Sequence, residues 1–186
     1  MPQSLDLTGH GMLAMTRASL ASLRAALLRD GGPGAAVYLQ EAGYAGGDAM
    51  WDAFRRWLGE RSDIAPEDLD VETFEERATE FFRDIGWGSL EIGTLNDVVA
   101  TLDSADWGEA DPSSGLDHPS CHLTTGMFAD LFGRLAGTPV AVLEVECRSA
   151  GASRCRFLVG SPEVLDHVYE EIGRGASYEE AVGASA

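Results

Sequence analysis

All three cysteines of this chain fall inside one stretch, Pro119–Gly160, and that stretch limits how the rest can fold. It begins Cys121-His122-Leu-Thr-Thr-Gly126 and continues through Leu131, Gly133 and Gly137 to Glu144-Val-Glu146-Cys147. It closes with Gly151-Ala-Ser-Arg-Cys155-Arg-Phe157. Taken as ligands, Cys121, Glu144, Cys147 and Cys155 give Cys-x22-Glu-x2-Cys-x7-Cys. Three thiolates and a carboxylate suit a tetrahedral zinc ion, and a filled ligand shell makes the site structural rather than catalytic. Without a metal, the same cysteines would be small buried apolar residues.

The runs Val140–Cys147 and Cys155–Val159 are apolar and β-branched, and a Gly- and Ser-containing connection joins them, so they read as a hairpin that brings Cys147 and Cys155 together. Cys121 opens a helical pattern, with Leu123, Met127, Leu131 and Leu135 four apart and Gly137 as the stop. A metal would therefore pin a helix start to a hairpin. Glu144 and Cys147 are three apart, which on a regular strand sends them to opposite faces. Either a bulge or the strand end turns one of them, or the carboxylate is Glu146. Arg148, Arg154 or Arg156 is placed to offset the excess negative charge.

The segment resembles the 4-vinyl-reductase domain family over about residues 85–172. The resemblance rests on Cys121-His122, Gly126, Glu144, Cys147, Gly151, Cys155 and Phe157. It implies zinc on Cys121, Glu144, Cys147 and Cys155, leaving Glu146 an ordinary strand residue. It further implies the ligand-binding fold shared with nitric-oxide-signalling and vesicle-tethering (TRAPP) subunit domains, and a homodimer. Domains of this kind serve as sensors of phenols or xylenes in transcription activators, as stand-alone proteins, or as accessory proteins in bacteriochlorophyll synthesis. The phenol sensors use a histidine and a tryptophan upstream of the first zinc cysteine. Here no histidine lies between Gly11 and Asp117.

The 186 residues read as one domain, helical over 1–85, with sheet, zinc segment and C-terminal helix over 86–172. Acidic residues outnumber basic ones 31 to 13, every basic residue is Arg, and the net charge is −18. Such a charge opposes direct binding to nucleic acid or an anionic membrane. No apolar run reaches the ~20 residues of a membrane span. Met1–Gly11 carries no signal-peptide pattern, and with an odd cysteine number the chain reads as cytoplasmic with reduced thiols.

Met12–Arg29 reads as an amphipathic helix with Leu13, Leu20, Leu23 and Leu27 on one side, ended by Asp30-Gly-Gly-Pro33. A second helix, Ala35–Gly43, stops at Gly43 and Gly46-Gly47, and Asp48 caps a third carrying Met50, Trp51, Phe54, Trp57 and Leu58. Asp70 caps Val71–Ile85. Ser89–Leu95 and Asp97–Leu102 read as strands turning at Asn96, and a loop over Asp103–Asp117 follows. Ser161-Pro162 starts a further helix, and Ser177 with Glu180 forms a capping box. The predicted class is α+β, helices on a small antiparallel sheet with a metal-pinned hairpin.

No GxGxxG, GxxxxGKS or GxSxG motif occurs, so the chain offers no hydride carrier, and a binding domain is preferred to a reductase. His122 reads as a contact around the cysteines rather than a ligand. Large aromatics crowd the region ahead of the metal segment. Together with the resemblance, they predict an apolar cavity bounded by Trp51, Phe54, Phe81, Phe82, Trp87, Trp107, Met127 and Phe128. The function expected is a zinc-stabilised, sensor-type domain for an apolar or aromatic molecule. The alternatives are a factor in tetrapyrrole vinyl reduction and a pure interaction module, which a side-chain-filled core would favour.

Overall fold

A computed structural model describes residues 12–32 and 34–185, so the lead-in over 1–11 and the predicted stop at Pro33 lie outside it. Among the described residues, six α-helices and four strands follow in the order α1 (Arg17–Asp30), α2 (Gly34–Gly59), α3 (Val71–Asp84), β1 (Glu91–Thr94), β2 (Ala100–Ser104), α4 (His122–Ala136), β3 (Ala141–Glu146), β4 (Cys155–Gly160), α5 (Pro162–Gly173) and α6 (Tyr178–Gly183). The strands form one antiparallel sheet in the order β1-β2-β4-β3. This is the predicted α+β class.

Local capping chemistry sets most helix starts. Asp70, Ser161 and Ser177 each accept a backbone N–H from the first turn of α3, α5 and α6, and the Ser177–Glu180 capping box is complete. Asn96 turns the β1–β2 hairpin by accepting from the N–H groups of Val98 and Val99. Gly137 ends α4 at φ +64°, a conformation that glycine adopts without cost.

Two helical expectations are corrected. The segment 35–58 lies in a single helix, not two, because Gly43 and Gly47 serve packing rather than termination. A Cβ on Gly43 would sit 2.0 Å from the Leu123 carbonyl oxygen, and one on Gly126 of α4 would sit 1.9 Å from that of Gln40. The backbones of α2 and α4 thus touch, and Asp48 pairs with Arg134 at 2.7 Å instead of capping. The first helix starts only at Arg17, after a Thr16 cap, and its expected apolar side is not the buried one. Leu13 is 92% exposed and Leu23 50%, while Arg24 is buried between half-buried Leu20 and Leu27. Its charge meets a buried carboxylate, described below, and that attraction sets the helix rotation.

The sheet separates two cores. On its inner face, α2, α3 and α4 enclose the aromatic residues with Leu102, Phe157 and the cysteines. On its outer face, α5 and α6 close an aliphatic cluster of Val99, Leu158, Leu165, Val168, Ala181 and Val182. At roughly 25 cal/mol per Å² of buried apolar surface, both layers stabilise the sheet, the aromatic one more per residue.

Candidate metal centre

The β3–β4 ladder shifts register between Glu144 and Glu146. This bulge resolves the parity difficulty, since the extra residue returns Glu144 and Cys147 to one side. Glu144 is buried against α4, while Glu146 faces outward to Arg154 and the Tyr178 hydroxyl. Cys121 stands at the start of α4 without capping it by its side chain, Cys147 follows β3, and Cys155 opens β4.

One ligand atom from each of Cys121, Glu144, Cys147 and Cys155 lies within 4.8 Å of the others, and all four residues are buried. Sγ of Cys121 is 3.8 Å from that of Cys147 and 4.0 Å from that of Cys155. A tetrahedron with metal–sulfur legs of about 2.3 Å has edges of about 3.8 Å, so the spacing suits a small ion. The Glu144 carboxylate accepts the Cys121 N–H through Oε2 at 2.7 Å, while Oε1 is buried with no hydrogen-bond partner. A buried carboxylate oxygen left this way is costly unless a cation meets it. The four residues can therefore hold a metal ion.

The electrostatics agree. Burial, aided by the negative charge at Cys147, pushes the Glu144 carboxyl up to about 8. Hydrogen bonds from the Cys121 and Cys155 thiols hold Cys147 far below the usual thiol range, and the same contact with Cys147 pushes Cys121 up. Left to itself, the cluster concentrates its negative charge on one sulfur; a divalent cation lets the other donors ionise. His122 lies outside the cluster, and burial, then the Arg24 charge, lowers its imidazole pKa. Arg154 and Arg156 do not offset the site, because their guanidinium groups pair with Glu146 and Asp103 on the outer face.

The sequence reading missed Glu109. This residue is fully buried, and its carboxylate accepts the N–H groups of Leu123 and Thr124 and the Thr124 hydroxyl. It thereby serves the first turn of α4 from a separate loop. Burial raises its pKa, against the opposing Arg24 charge. No local pattern marks such a role; the one cue is the absence of a conventional cap at Cys121.

The expected cavity is filled. Trp51, Phe54, Phe81, Phe82, Trp107, Met127 and Phe128 are all buried, and Trp87 is half-buried. Trp107 lies 5.1 Å from Phe128 and 5.4 Å from Phe82, and Phe54 lies 5.2 Å from Phe81, in tilted or edge contacts. Trp87 stacks obliquely on Trp107 at 5.5 Å. Rings that meet edge to face fill space well and attract beyond their buried area. What remains between Trp51, Phe54 and Phe82 is about 10 Å³, close to the limit for one water. The Trp107 N–H is donated to Thr124 at 2.7 Å.

The opening lies beside this core instead. A groove of about 290 Å³ runs between the turn before α3, the sheet and α4, lined by Leu69, Phe74, Ile92, Leu102, Phe132 and Val159 among others. Glu67 is the single charged residue along it. The alternation of Ile92 and Leu102 on paired strands was the sequence signal for an inward apolar floor.

Fold and site together define a small α+β domain whose sheet is tied to a helix start by a metal-type cluster. The chain carries a 4-vinyl-reductase domain: residues 110–161 match that family's model, and the span holds all four clustered residues. Among solved structures, the phenol-responsive sensory domain of the transcription activator PoxR with phenol is 17% identical, with a TM-score of 0.60, covering 94% of this chain and 83% of that one. A vinyl-4-reductase family protein from Methanocaldococcus jannaschii is 18% identical at a TM-score of 0.54, covering 83% and 87%. Subunit 3 of a trafficking protein particle complex from Naegleria fowleri, covalently bound to palmitic acid, is 12% identical at 0.60, covering 77% and 91%. At these identities the likeness is one of fold. No curated protein matches the sequence.

Proposed function

We propose that the chain is a zinc-stabilised, sensor-type domain that binds an apolar or aromatic small molecule and acts in regulation. The observation that carries this is a juxtaposition. The groove of about 290 Å³ has α4 as one wall and the sheet as its floor, and the Cys/Glu cluster ties those two elements together. That volume is close to the lower end of small-molecule sites, about 300 Å³. The likeness to a phenol-responsive domain supports the sensor reading.

Cys121, Glu144, Cys147 and Cys155 would hold the zinc, whose contribution when bound is charge neutralisation and crosslinking. Four protein donors leave no position for a reacting water, so the site is structural. The residues around the groove supply apolar contact, and Glu67 disfavours an anionic headgroup there. With the Trp107 N–H already donated to Thr124, the reading favours a weakly polar ligand over a phenol. A homodimer belongs to the same proposal and is checked by sedimentation equilibrium.

The test is a melting-shift panel of aromatic, acyl and tetrapyrrole compounds on zinc-loaded protein. A compound at a hundredfold excess over its dissociation constant stabilises the fold by about 2.7 kcal/mol. The solid aromatic core favours a second reading, an interaction module without ligand, and a panel in which nothing shifts the melt would leave that reading standing.

A further inference from the structure

Arg24 of α1 reaches across 85 and 96 positions of sequence to the loop that carries Cys121. It is buried, and among the described residues it is the one buried cation. Its guanidinium donates to the Glu109 carbonyl at 2.5 Å, to the Ser120 carbonyl at 2.6 Å and to the Ser120 hydroxyl at 3.1 Å, and its Nε lies 2.9 Å from Glu109 Oε1. Every planar edge of the fork thus meets the chain immediately before Cys121 or the carboxylate that serves α4.

The two carboxylates at the start of α4 divide its exposed donors. Glu144 takes the Cys121 N–H, and Glu109 takes those of Leu123 and Thr124. The first four N–H groups of a helix need such partners, and a side chain at the first position usually supplies one. Cys121 occupies that position and makes no capping bond, which leaves its Sγ for the cluster. Glu109 performs the capping in its place, and a lone buried carboxylate would be untenable without Arg24. Ser120, held twice by Arg24, also sits with its hydroxyl 4.0 Å from the Cys147 sulfur.

We infer that Arg24 is a positioning residue for the metal centre: through Glu109 and Ser120 it holds the Cys121 thiol at the ligand position and ties α1 to that centre. The inference rests on the zinc reading above, and goes beyond it by placing a residue of the first helix in control of metal retention. Partners that orient metal ligands typically change affinity by about ten- to a hundredfold when removed. A fork is needed, since one lysine nitrogen cannot meet Glu109 and both Ser120 oxygens in the same plane.

The experiment measures zinc affinity by chelator competition on folded, zinc-loaded protein. Arg24→Met is expected to lower affinity about ten- to a hundredfold, and Arg24→Lys to lower it less. Leu165→Ala, in the outer core across the sheet, serves as a destabilised control that melts earlier yet keeps zinc as tightly as the parent. Unchanged affinity in Arg24→Met, or an equal loss in Leu165→Ala, would overturn the inference while leaving the zinc reading intact. If Arg24→Met does not fold, Arg24→Lys decides alone: weakened retention supports the inference and parental retention overturns it. A parent protein that takes up no zinc overturns both.

Discussion

The two faces of the sheet solve the same problem differently. On the outer face, Asp103, Glu146, Arg154, Arg156 and Tyr178 form a half-buried network in which every charge has an opposite within reach. On the inner face, three thiols and Glu144 are buried together, with Glu144 Oε1 unpartnered and no cationic side chain in the cluster. Both faces belong to the same hairpin, and its bulge sends Glu144 one way and Glu146 the other. The outer set is complete by itself, whereas the inner set of donors calls for a cation. A buried, unbalanced donor set in an otherwise satisfied structure is better support for a metal than cysteine spacing is.

The largest effect should come from removing what completes the inner face. Purified protein is expected to contain about one zinc per chain, as a four-ligand site implies. Cys155→Ser should abolish it and lower stability by several kcal/mol, because metal binding is coupled to folding. Elemental analysis with thermal melts checks both. Metal-free protein that tolerates the substitution would erase the contrast between the faces.

Next in size is the α2–α4 contact that supports the inner face. Gly126→Ala places a methyl 1.9 Å from the Gln40 carbonyl oxygen, so the helices must part. The expected cost is about 3 kcal/mol, outweighing the roughly 1 kcal/mol that alanine gains inside a helix. Denaturant unfolding measures it, and a variant as stable as the parent would show that the crossing is loose.

The same glycines show where the sequence stops being legible. Capped helix starts at Asp70, Ser161 and Ser177 were readable because cap and recipient lie three residues apart. The hairpin was readable from its β-branched runs. Gly43 and Gly47 were misread as stops, since a glycine that ends a helix and one that admits a neighbouring backbone look alike locally. Their partners lie about eighty residues away. Arg24 and Glu109 were invisible for the same reason, and the leucines around Arg24 pointed to the wrong buried side. The four clustered residues were nameable, but the choice between Glu144 and Glu146 needed the bulge or the resemblance. Aromatic content, finally, cannot say whether rings enclose a space or fill it.

The groove gives a third, smaller effect. Ala100 lies on its floor, so Ala100→Trp should fill it and remove the ligand-induced stabilisation of about 2.7 kcal/mol expected at a hundredfold excess. Zinc content should not change. A ligand that still shifts the melt of this variant binds elsewhere, and the juxtaposition of groove and metal loses its meaning.

The smallest effect belongs to the outer face, and it sharpens the comparison most. Arg156 donates to both oxygens of Asp103, at 2.8 and 2.6 Å, and to the Tyr178 hydroxyl at 3.2 Å. Arg154 also reaches Asp103, at 3.2 Å, so Arg156→Met leaves that carboxylate with a cation and an aqueous edge. The pair is partly solvated and its loss is shared, which limits the cost to about 1 kcal/mol. Arg156 adjoins Cys155 in sequence but points away from it, so zinc affinity should equal that of the parent protein. Chelator competition beside a thermal melt reads both quantities. If Arg156→Met released zinc as readily as Arg24→Met, the sheet would be transmitting strain between its faces, and the metal centre could no longer be treated as the property of the inner face alone.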